Sequence, residues 1–316
     1  MDHTAIQRAA AALPQWTPPA LGDDLPHGDM PGDKVEIHQE HIEKANTIFP
    51  LLLPMAAEAA EQTGRAVIAM CGGSGVGKSE TASLLSYYFR SAGVGAYTLS
   101  GDNYPRRIPM YNDAERVRIF RVGGMRGMLR AGVYTEAAGS ELRRLWAAEA
   151  DADPKTAAGR DWLAIYQAEG RKALAGYLGT PNEQDYDELS AIIAEFKAGS
   201  DTLLLKRMGR TEDERWYEPV DVSQTNVLVI EWTYGSSDHL RGVDIPILLN
   251  STPEETRAHR RARARDGKTD SAFTTMVLEI EQEELDRCAH KAKIIISKSG
   301  EVLTFDQYRL LMSQEG

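Results

Sequence analysis

The chain has 316 residues and 42% of them are hydrophobic, which is enough for a packed core in one large domain or two smaller ones. A formal net charge of −11 at pH 7 disfavours a general nucleic-acid binder, which is usually basic. No apolar run reaches the roughly 20 residues of a membrane span, and the N-terminus lacks the pattern of a signal peptide. Cys71 and Cys288 fit neither a metal site nor a disulfide framework. We therefore expect a cytoplasmic protein without membrane or nucleic-acid partners.

The first part of the chain predicts an N-terminal extension and then the start of a sheet. Residues 1–34 are rich in Pro, Gly and Asp, as is typical of a loosely ordered or surface-bound arm. Residues 35–62 have a helical pattern that Pro50 and Pro54 are expected to divide in two. The next expected elements are a buried strand at 66–70, a helix at 79–93 that ends at glycine, and a second strand at 95–101.

The rest of the chain predicts further strands and a large insertion. Residues 116–221 are mainly helical and end in an expected hairpin within 201–220. Strands are expected at 226–232, 243–250 and 291–297, and helices at 252–267 and 271–290. Strands that alternate with helices indicate an α/β fold with a parallel sheet flanked by helices. We expect residues 1–64 to form an N-terminal arm and helices, and residues 65–316 to form one domain that carries 116–221 as a substrate-side insertion.

A glycine-rich stretch between the first strand and the next helix fits a phosphate-binding loop. Gly72 to Ser79 reads GGSGVGKS and matches G-x-x-x-x-G-K-[ST]. Glycines let backbone N–H groups turn inward, and the helix that follows presents its positive end to a phosphate. A chance glycine-rich turn is the alternative, but four fixed positions match and a strand and a helix flank them. We therefore predict a P-loop NTPase-type sheet and an ATP site formed by Gly73, Ser74, Gly75, Val76, Gly77, Lys78, Ser79 and Glu80.

An aspartate follows the second expected strand. Asp102 would then lie at the carboxyl end of a strand, where open α/β sheets carry their sites. A carboxylate there can accept a proton from an attacking hydroxyl or help to hold Mg²⁺. The alternative is a turn residue, since Asp before Asn is common in turns.

The order of motifs resembles the phosphoribulokinase and uridine kinase family of P-loop kinases. The motifs that carry the resemblance are GGSGVGKS, DNY at 102–104, VLVIEW at 227–232, RARARD at 261–266 and KAKIII at 291–296. The resemblance implies that Asp102 is the catalytic base and that Ser79 and Glu231 support Mg²⁺. Trp232 stands where that family has a glycine, and the insertion is longer than in simple nucleoside kinases.

Arginines are concentrated in two further stretches. Arg257, Arg261 and Arg265 recur at i, i+4 spacing on one expected helix, which indicates either a lid that grips phosphate or a solvated basic helix. A second group follows Asp102 and predicts either a site for an anionic acceptor or an exposed helix. Tyr104 either lines the acceptor pocket or has a plain packing role, and Glu231 either serves the site or is an exposed acid at a strand end. Hairpin packing is the alternative for Arg210. The acceptor-side candidates are Asp102, Tyr104, Arg106, Arg107, Arg210 and Glu231.

These observations predict an ATP-dependent kinase that phosphorylates a hydroxyl of a small metabolite, such as a sugar, sugar phosphate or nucleoside, with Mg²⁺. Lys78, Arg261 and Arg265 would stabilise the transferring phosphoryl group, and Asp102 would act as general base. The alternative is a P-loop regulatory ATPase or nucleotide sensor without a small-molecule acceptor. The sequence names neither the acceptor nor the oligomeric state, and it leaves a homodimer open.

Overall fold

The computed structural model describes residues 2, 4–22, 25–32, 35–251, 255 and 271–314. The three arginines expected on the lid, Arg257, Arg261 and Arg265, lie outside the described residues. The strands are β1 Ala66–Gly72, β2 Ala96–Ser100, β3 Thr202–Met208, β4 Arg215–Asp221, β5 Val227–Glu231, β6 Ile245–Leu249, β7 Ile294–Ile296 and β8 Val302–Leu303. The helices are α1 Ala5–Ala11, α2 Gln39–Ala59, α3 Lys78–Ser91, α4 Pro109–Arg130, α5 Glu136–Ala147, α6 Asp161–Ala175, α7 Tyr186–Lys197, α8 Ala272–Cys288 and α9 Phe305–Gln314.

The main sheet has the order β2–β5–β1–β6–β7–β8 within the described ranges. Its first five strands are parallel, and β8 pairs antiparallel with β7. All seven residues of β1 are buried, as expected for a central strand that helices cover on both faces. Successive side chains face opposite sides: Ile68 packs in a cluster with α2 and α3, whereas Val67 packs with α7 and the hairpin. The predicted P-loop NTPase-type α/β fold is confirmed.

The predicted hairpin is present as the antiparallel pair of β3 and β4. It follows the helices α4 to α7, so the stretch expected as a mainly helical insertion has that content. Leu203 and Leu205 of β3 are buried against α7 and the sheet, whereas the first three residues of β4 are exposed. The hairpin thus covers the β2–β5 side of the sheet with one face and leaves part of the other to solvent.

The expected break in α2 is wrong, because one helix runs through both prolines. Four apolar side chains of α2, Ile48, Phe49, Leu52 and Leu53, are at most 1% exposed. Each contributes about 1.5–3 kcal/mol by burial, against roughly 3 kcal/mol lost for a proline within a helix. Since Pro54 is exposed and Pro50 only half-buried, neither ring displaces this packing.

The N-terminal stretch is attached to the core more closely than a surface-bound arm would be. Ile6 of α1 is fully buried in the cluster that α2, α3 and β1 form. Farther along, Gly28 is buried, and the side chain of Asp29 is 8% exposed.

No helix in the described part of the chain is both long enough and apolar enough to cross a bilayer.

Candidate active site

Three strand ends meet at one edge of the sheet. In the strand register Glu231, the last residue of β5, pairs with Met70 of β1 on one side and with Ser100 of β2 on the other. The glycine-rich loop follows β1, and a short 3-10 helix, Gly101–Asn103, follows β2. This topology therefore brings together the loop with Lys78, the carboxylate of Glu231 and the turn that carries Asp102.

The loop has the backbone that the motif requires. Gly75 and Gly77 have positive φ angles of 81° and 91°, which residues with a Cβ rarely adopt. A Cβ at Gly77 would also lie 2.8 Å from the ring of His41 on α2. Val76 is 6% exposed and packs into the core, which anchors the middle of the loop.

The helix α3 begins at Lys78, so its amino end faces the loop. Nζ of Lys78 donates a hydrogen bond of 3.0 Å to the carbonyl of Gly73, which places the ammonium over the loop. Ser79 and Glu80 follow in the first turn of α3, and Glu80 is buried. Glycine backbone, helix end and ammonium together form a cradle for the phosphates of a nucleotide.

Glu231 is held between the loop helix and β2. Its Oε2 accepts a hydrogen bond of 3.1 Å from the Ser79 hydroxyl, and its Oε1 accepts one from the Ser100 hydroxyl. The residue is 3% exposed. A hydroxyl and a carboxylate provide hard oxygen ligands. Mg²⁺ needs only a few such ligands from the protein, because it keeps several waters and also binds phosphate oxygens. Ser79 and Glu231 therefore fit a Mg²⁺ ion. No group of three or more His, Cys, Asp or Glu gathers at one point among the residues that the structure describes.

Asp102 is exposed, in contrast to Glu231, and the residues on both sides of it are fixed. Gly101 lies against Trp232, since a Cβ at position 101 would be 2.1 Å from Cγ of the indole. The side chain of Asn103 is buried and accepts a hydrogen bond of 3.0 Å from the amide of Met208 on β3. The tryptophan that replaces the glycine of the resembled family therefore packs under the turn and fixes its position.

Asp29 of the N-terminal stretch also holds this turn, and the sequence did not indicate it. Its Oδ1 accepts hydrogen bonds from the Ser100 amide at 2.8 Å and from the Asn103 side chain at 3.0 Å. Its Oδ2 accepts from the Tyr97 hydroxyl at 3.0 Å and from Arg207 of β3 at 2.9 Å. Burial raises the pKa of Asp29, and Arg207 opposes that rise. No sequence motif marks Asp29 or Arg207, because their contacts join segments 178 residues apart.

Most arginines of the basic stretch after Asp102 have acidic partners. Arg106 pairs with Asp185 at 3.0 Å, and Arg107 donates to the Tyr177 hydroxyl at 3.0 Å and has Glu115 at 3.9 Å. Four others also lie beside a carboxylate: Arg116 with Glu183, Arg118 with Glu115, Arg121 with Asp151, and Arg130 with Glu169. These pairs favour a structural role for the stretch over an anion site.

The remaining acceptor-side candidates have different surroundings. Tyr104 is fully buried in the cluster that contains α7 and the hairpin, and Nζ of Lys206 lies 5.1 Å from its ring centroid, which favours packing. Arg210 follows β3 and lines a cavity of about 290 Å³ beside the N-terminal stretch. A second cavity, of about 590 Å³, lies at the carboxyl ends of β6 and β7 and is lined in part by Asn250, Ser297 and Lys298.

Comparison with known proteins gives one curated relative. Over 238 residues the chain is 37% identical to the bifunctional alpha-galactosidase/sucrose kinase AgaSK of Mediterraneibacter gnavus. The match covers 75% of this chain and 20% of that protein, so the chain spans about a fifth of its relative's length. No family model matches the chain. The match supports the resemblance to P-loop small-molecule kinases.

Solved structures give weaker likenesses. A structure described as a possible uridine kinase from Bacillus stearothermophilus has a TM-score of 0.41 and 16% identity, over 80% of this chain and 97% of that one. The D-glycerate 3-kinase from Cryptococcus neoformans var. grubii has a TM-score of 0.44 and 12% identity, over 85% of this chain and 99% of that one. Both likenesses are distant in sequence and in structure.

Proposed function

We propose that the chain is an ATP-dependent kinase that transfers the γ-phosphoryl group to a hydroxyl of a small metabolite. The observation that carries the proposal is the meeting of the Lys78 loop, buried Glu231 and exposed Asp102 at the ends of three adjacent parallel strands. Open α/β sheets bind their ligands at this edge. The 37% identical relative has a kinase in its name, which supports the same reaction. The same name specifies sucrose, which supports testing sugars among the acceptors.

The proposed roles follow from the surroundings of each group. Backbone amides of residues 73–79 and the Lys78 ammonium bind the phosphates. Asp102 takes the proton of the acceptor hydroxyl while the oxygen of that hydroxyl forms a bond to the γ-phosphorus. The bond between the γ-phosphorus and the β–γ bridging oxygen breaks, which leaves ADP. Ser79 and Glu231 would hold Mg²⁺, which neutralises phosphate charge when bound.

Acceptor-dependent release of ADP from ATP and Mg²⁺ tests the proposal, in parental protein and in Lys78→Ala. We expect ADP release to require an acceptor from a panel of sugars and polyols. We expect Lys78→Ala to lose roughly 10²-fold or more of this activity, because it removes the ammonium over the loop. Lys172→Ala, which changes an exposed lysine on α6, is the matched control and should keep full activity.

Two results would contradict the proposal. Normal turnover by a folded Lys78→Ala protein would show that the loop with Lys78 is not the phosphate site. Lys78-dependent hydrolysis of ATP that no acceptor stimulates would favour the regulatory ATPase instead. Circular dichroism of each variant shows whether its fold is intact.

A further inference from the structure

The cavity of about 290 Å³ lies between the N-terminal stretch and the hairpin. Its lining comprises Met30, Pro31, Gly32, Gly209, Arg210, Glu214 and Trp216. Hydrogen bonds bring this lining to the turn that carries Asp102. Asn103 donates to Asp29 and accepts from Met208, each at 3.0 Å, and the residues after these two partners, Met30 and Gly209, line the cavity. Two residues of the lining thus directly follow the hydrogen-bond partners of Asn103, the neighbour of Asp102 in the turn.

Trp216 is the large apolar group of this cavity. It lies on β4 and is 41% exposed, so part of the indole is open to solvent. Its indole N–H donates to Glu218 at 3.4 Å, so a polar contact restrains one edge of the ring. A flat aromatic surface beside polar groups suits a sugar ring, which has C–H groups on its faces and hydroxyls around its edge.

The polar groups of the lining are nearly balanced in charge. Arg210 and Glu214 contribute one cation and one carboxylate. Hydrogen bonds from the amides of Arg210 and Thr211 lower the pKa of Glu214, so the carboxylate is ionised at neutral pH. The adjacent Arg207 already pairs with Asp29 at 2.9 Å and with Glu218 at 2.7 Å. Binding an anion here would add a negative charge to a lining without a clear positive excess.

We propose that this cavity binds the acceptor and that the acceptor is a neutral polyhydroxylated ring, namely a sugar without a phosphate or carboxylate group. Trp216 stacks on the ring, Arg210 and Glu214 bind its hydroxyls, and one hydroxyl reaches Asp102. The volume lies near the lower end of the roughly 300–1,000 Å³ of small-molecule sites, which suits a single ring. The inference rests on the proposed kinase function.

The test compares neutral sugars with their phosphates. The probes are sucrose, glucose and fructose, with glucose 6-phosphate and fructose 6-phosphate as anionic counterparts, at saturating ATP and Mg²⁺. We expect ADP release with at least one of the three neutral sugars and much less with either sugar phosphate. For that sugar, Trp216→Ala should raise the KM about tenfold or more, because stacking area is lost, with the KM for ATP within about twofold. Trp216→Phe should recover part of the change.

Tyr217→Ala is the matched control. Tyr217 is the next residue of β4, is 50% exposed and faces the other side of the strand. The Tyr217→Ala variant should have a sugar KM within about twofold of the parental value. An unchanged sugar KM in folded Trp216→Ala, or a preference for the sugar phosphates, would overturn the inference while the kinase function stands. If none of these probes stimulates turnover but another acceptor of the wider panel does, the inference fails and the kinase function stands. If no acceptor of the wider panel stimulates turnover, the proposed function fails as well.

Discussion

Glu231 and Asp102 end or follow neighbouring strands, yet their surroundings differ in a way that separates their proposed roles. Glu231 is 3% exposed, and two serine hydroxyls donate to it from α3 and β2. A carboxylate held in this way beside the loop is suited to support a cation. Asp102 is exposed and lies on a turn that is fixed at Gly101 and Asn103. A positioned but accessible carboxylate is suited to accept a proton from a bound hydroxyl.

Asp29 should affect catalysis although it touches no reacting atom. Asp29→Asn removes the negative charge that accepts hydrogen bonds from Ser100, Asn103 and Arg207. Because the turn loses part of its support, we expect kcat to fall about tenfold or more while the KM for ATP stays within about threefold. Steady-state kinetics with the best acceptor measures both values.

Asp151→Asn is the control for a simple loss of stability. Asp151 is also buried, accepts two hydrogen bonds of 3.1 Å from Arg121 and one of 2.8 Å from Tyr166, and lies in the helical insertion. We expect it to lower the free energy of unfolding without changing kcat. Equal kcat values in the two variants would show that Asp29 has only a structural role.

At the scale of elements, the contact between α2 and the glycine-rich loop predicts a pH dependence of stability. His41 lies against Gly77, and burial lowers its pKa. Glu80 and Glu40 raise that pKa and Lys44 and His38 lower it, but burial dominates. As the pH falls below the ordinary histidine pKa of about 6.5, the unfolded chain binds the proton before the folded chain does. The free energy of unfolding should therefore fall with pH until the lowered pKa is passed.

Urea unfolding at pH 7.5 and pH 5.5 measures this effect. His41→Gln removes the titrating group and keeps a polar side chain, so the difference between the two proteins isolates His41 from the carboxylates. We expect the parental protein to lose more stability on acidification than His41→Gln does. An equal loss in the two proteins would contradict the assignment.

The elements that the sequence predicted well are those whose pattern is local. Buried strands such as β1 and β5 are short apolar runs between turn residues, and they formed within one or two residues of the expected bounds. The expected break at Pro50 and Pro54 was wrong because the low helix propensity of proline competes with packing. The buried face of α2 outweighs that low propensity. Residues 1–34 have the composition of an arm, and composition gives no sign that Ile6 enters the core or that Asp29 holds a turn.

At the scale of the whole molecule, the candidate site joins segments that are far apart in sequence. The glycine-rich loop could be predicted because its chemistry requires fixed residues in one short stretch. Asp102 and Glu231 could be predicted because each follows or ends a strand. The contributions of Asp29, Arg207 and Trp216 depend on where the N-terminal stretch and the hairpin fold back, and no local pattern encodes that. Most ion pairs of the basic stretch are of the same kind, since the partners of Arg106, Arg121 and Arg130 lie on another helix or loop.

Asp102 is proposed to act as general base beside a nucleotide that the Lys78 loop holds. Asp102→Asn keeps the size of the side chain but cannot take the proton. The measurement is acceptor-dependent turnover and ATP affinity on this one variant, with Asp187→Asn, an exposed aspartate on α7, as control. We predict a loss of roughly 10²–10⁴-fold in turnover, ATP affinity within about tenfold of the parental value, and no change in the control. Near-normal turnover of folded Asp102→Asn at ordinary Mg²⁺ would rule out Asp102 as the general base.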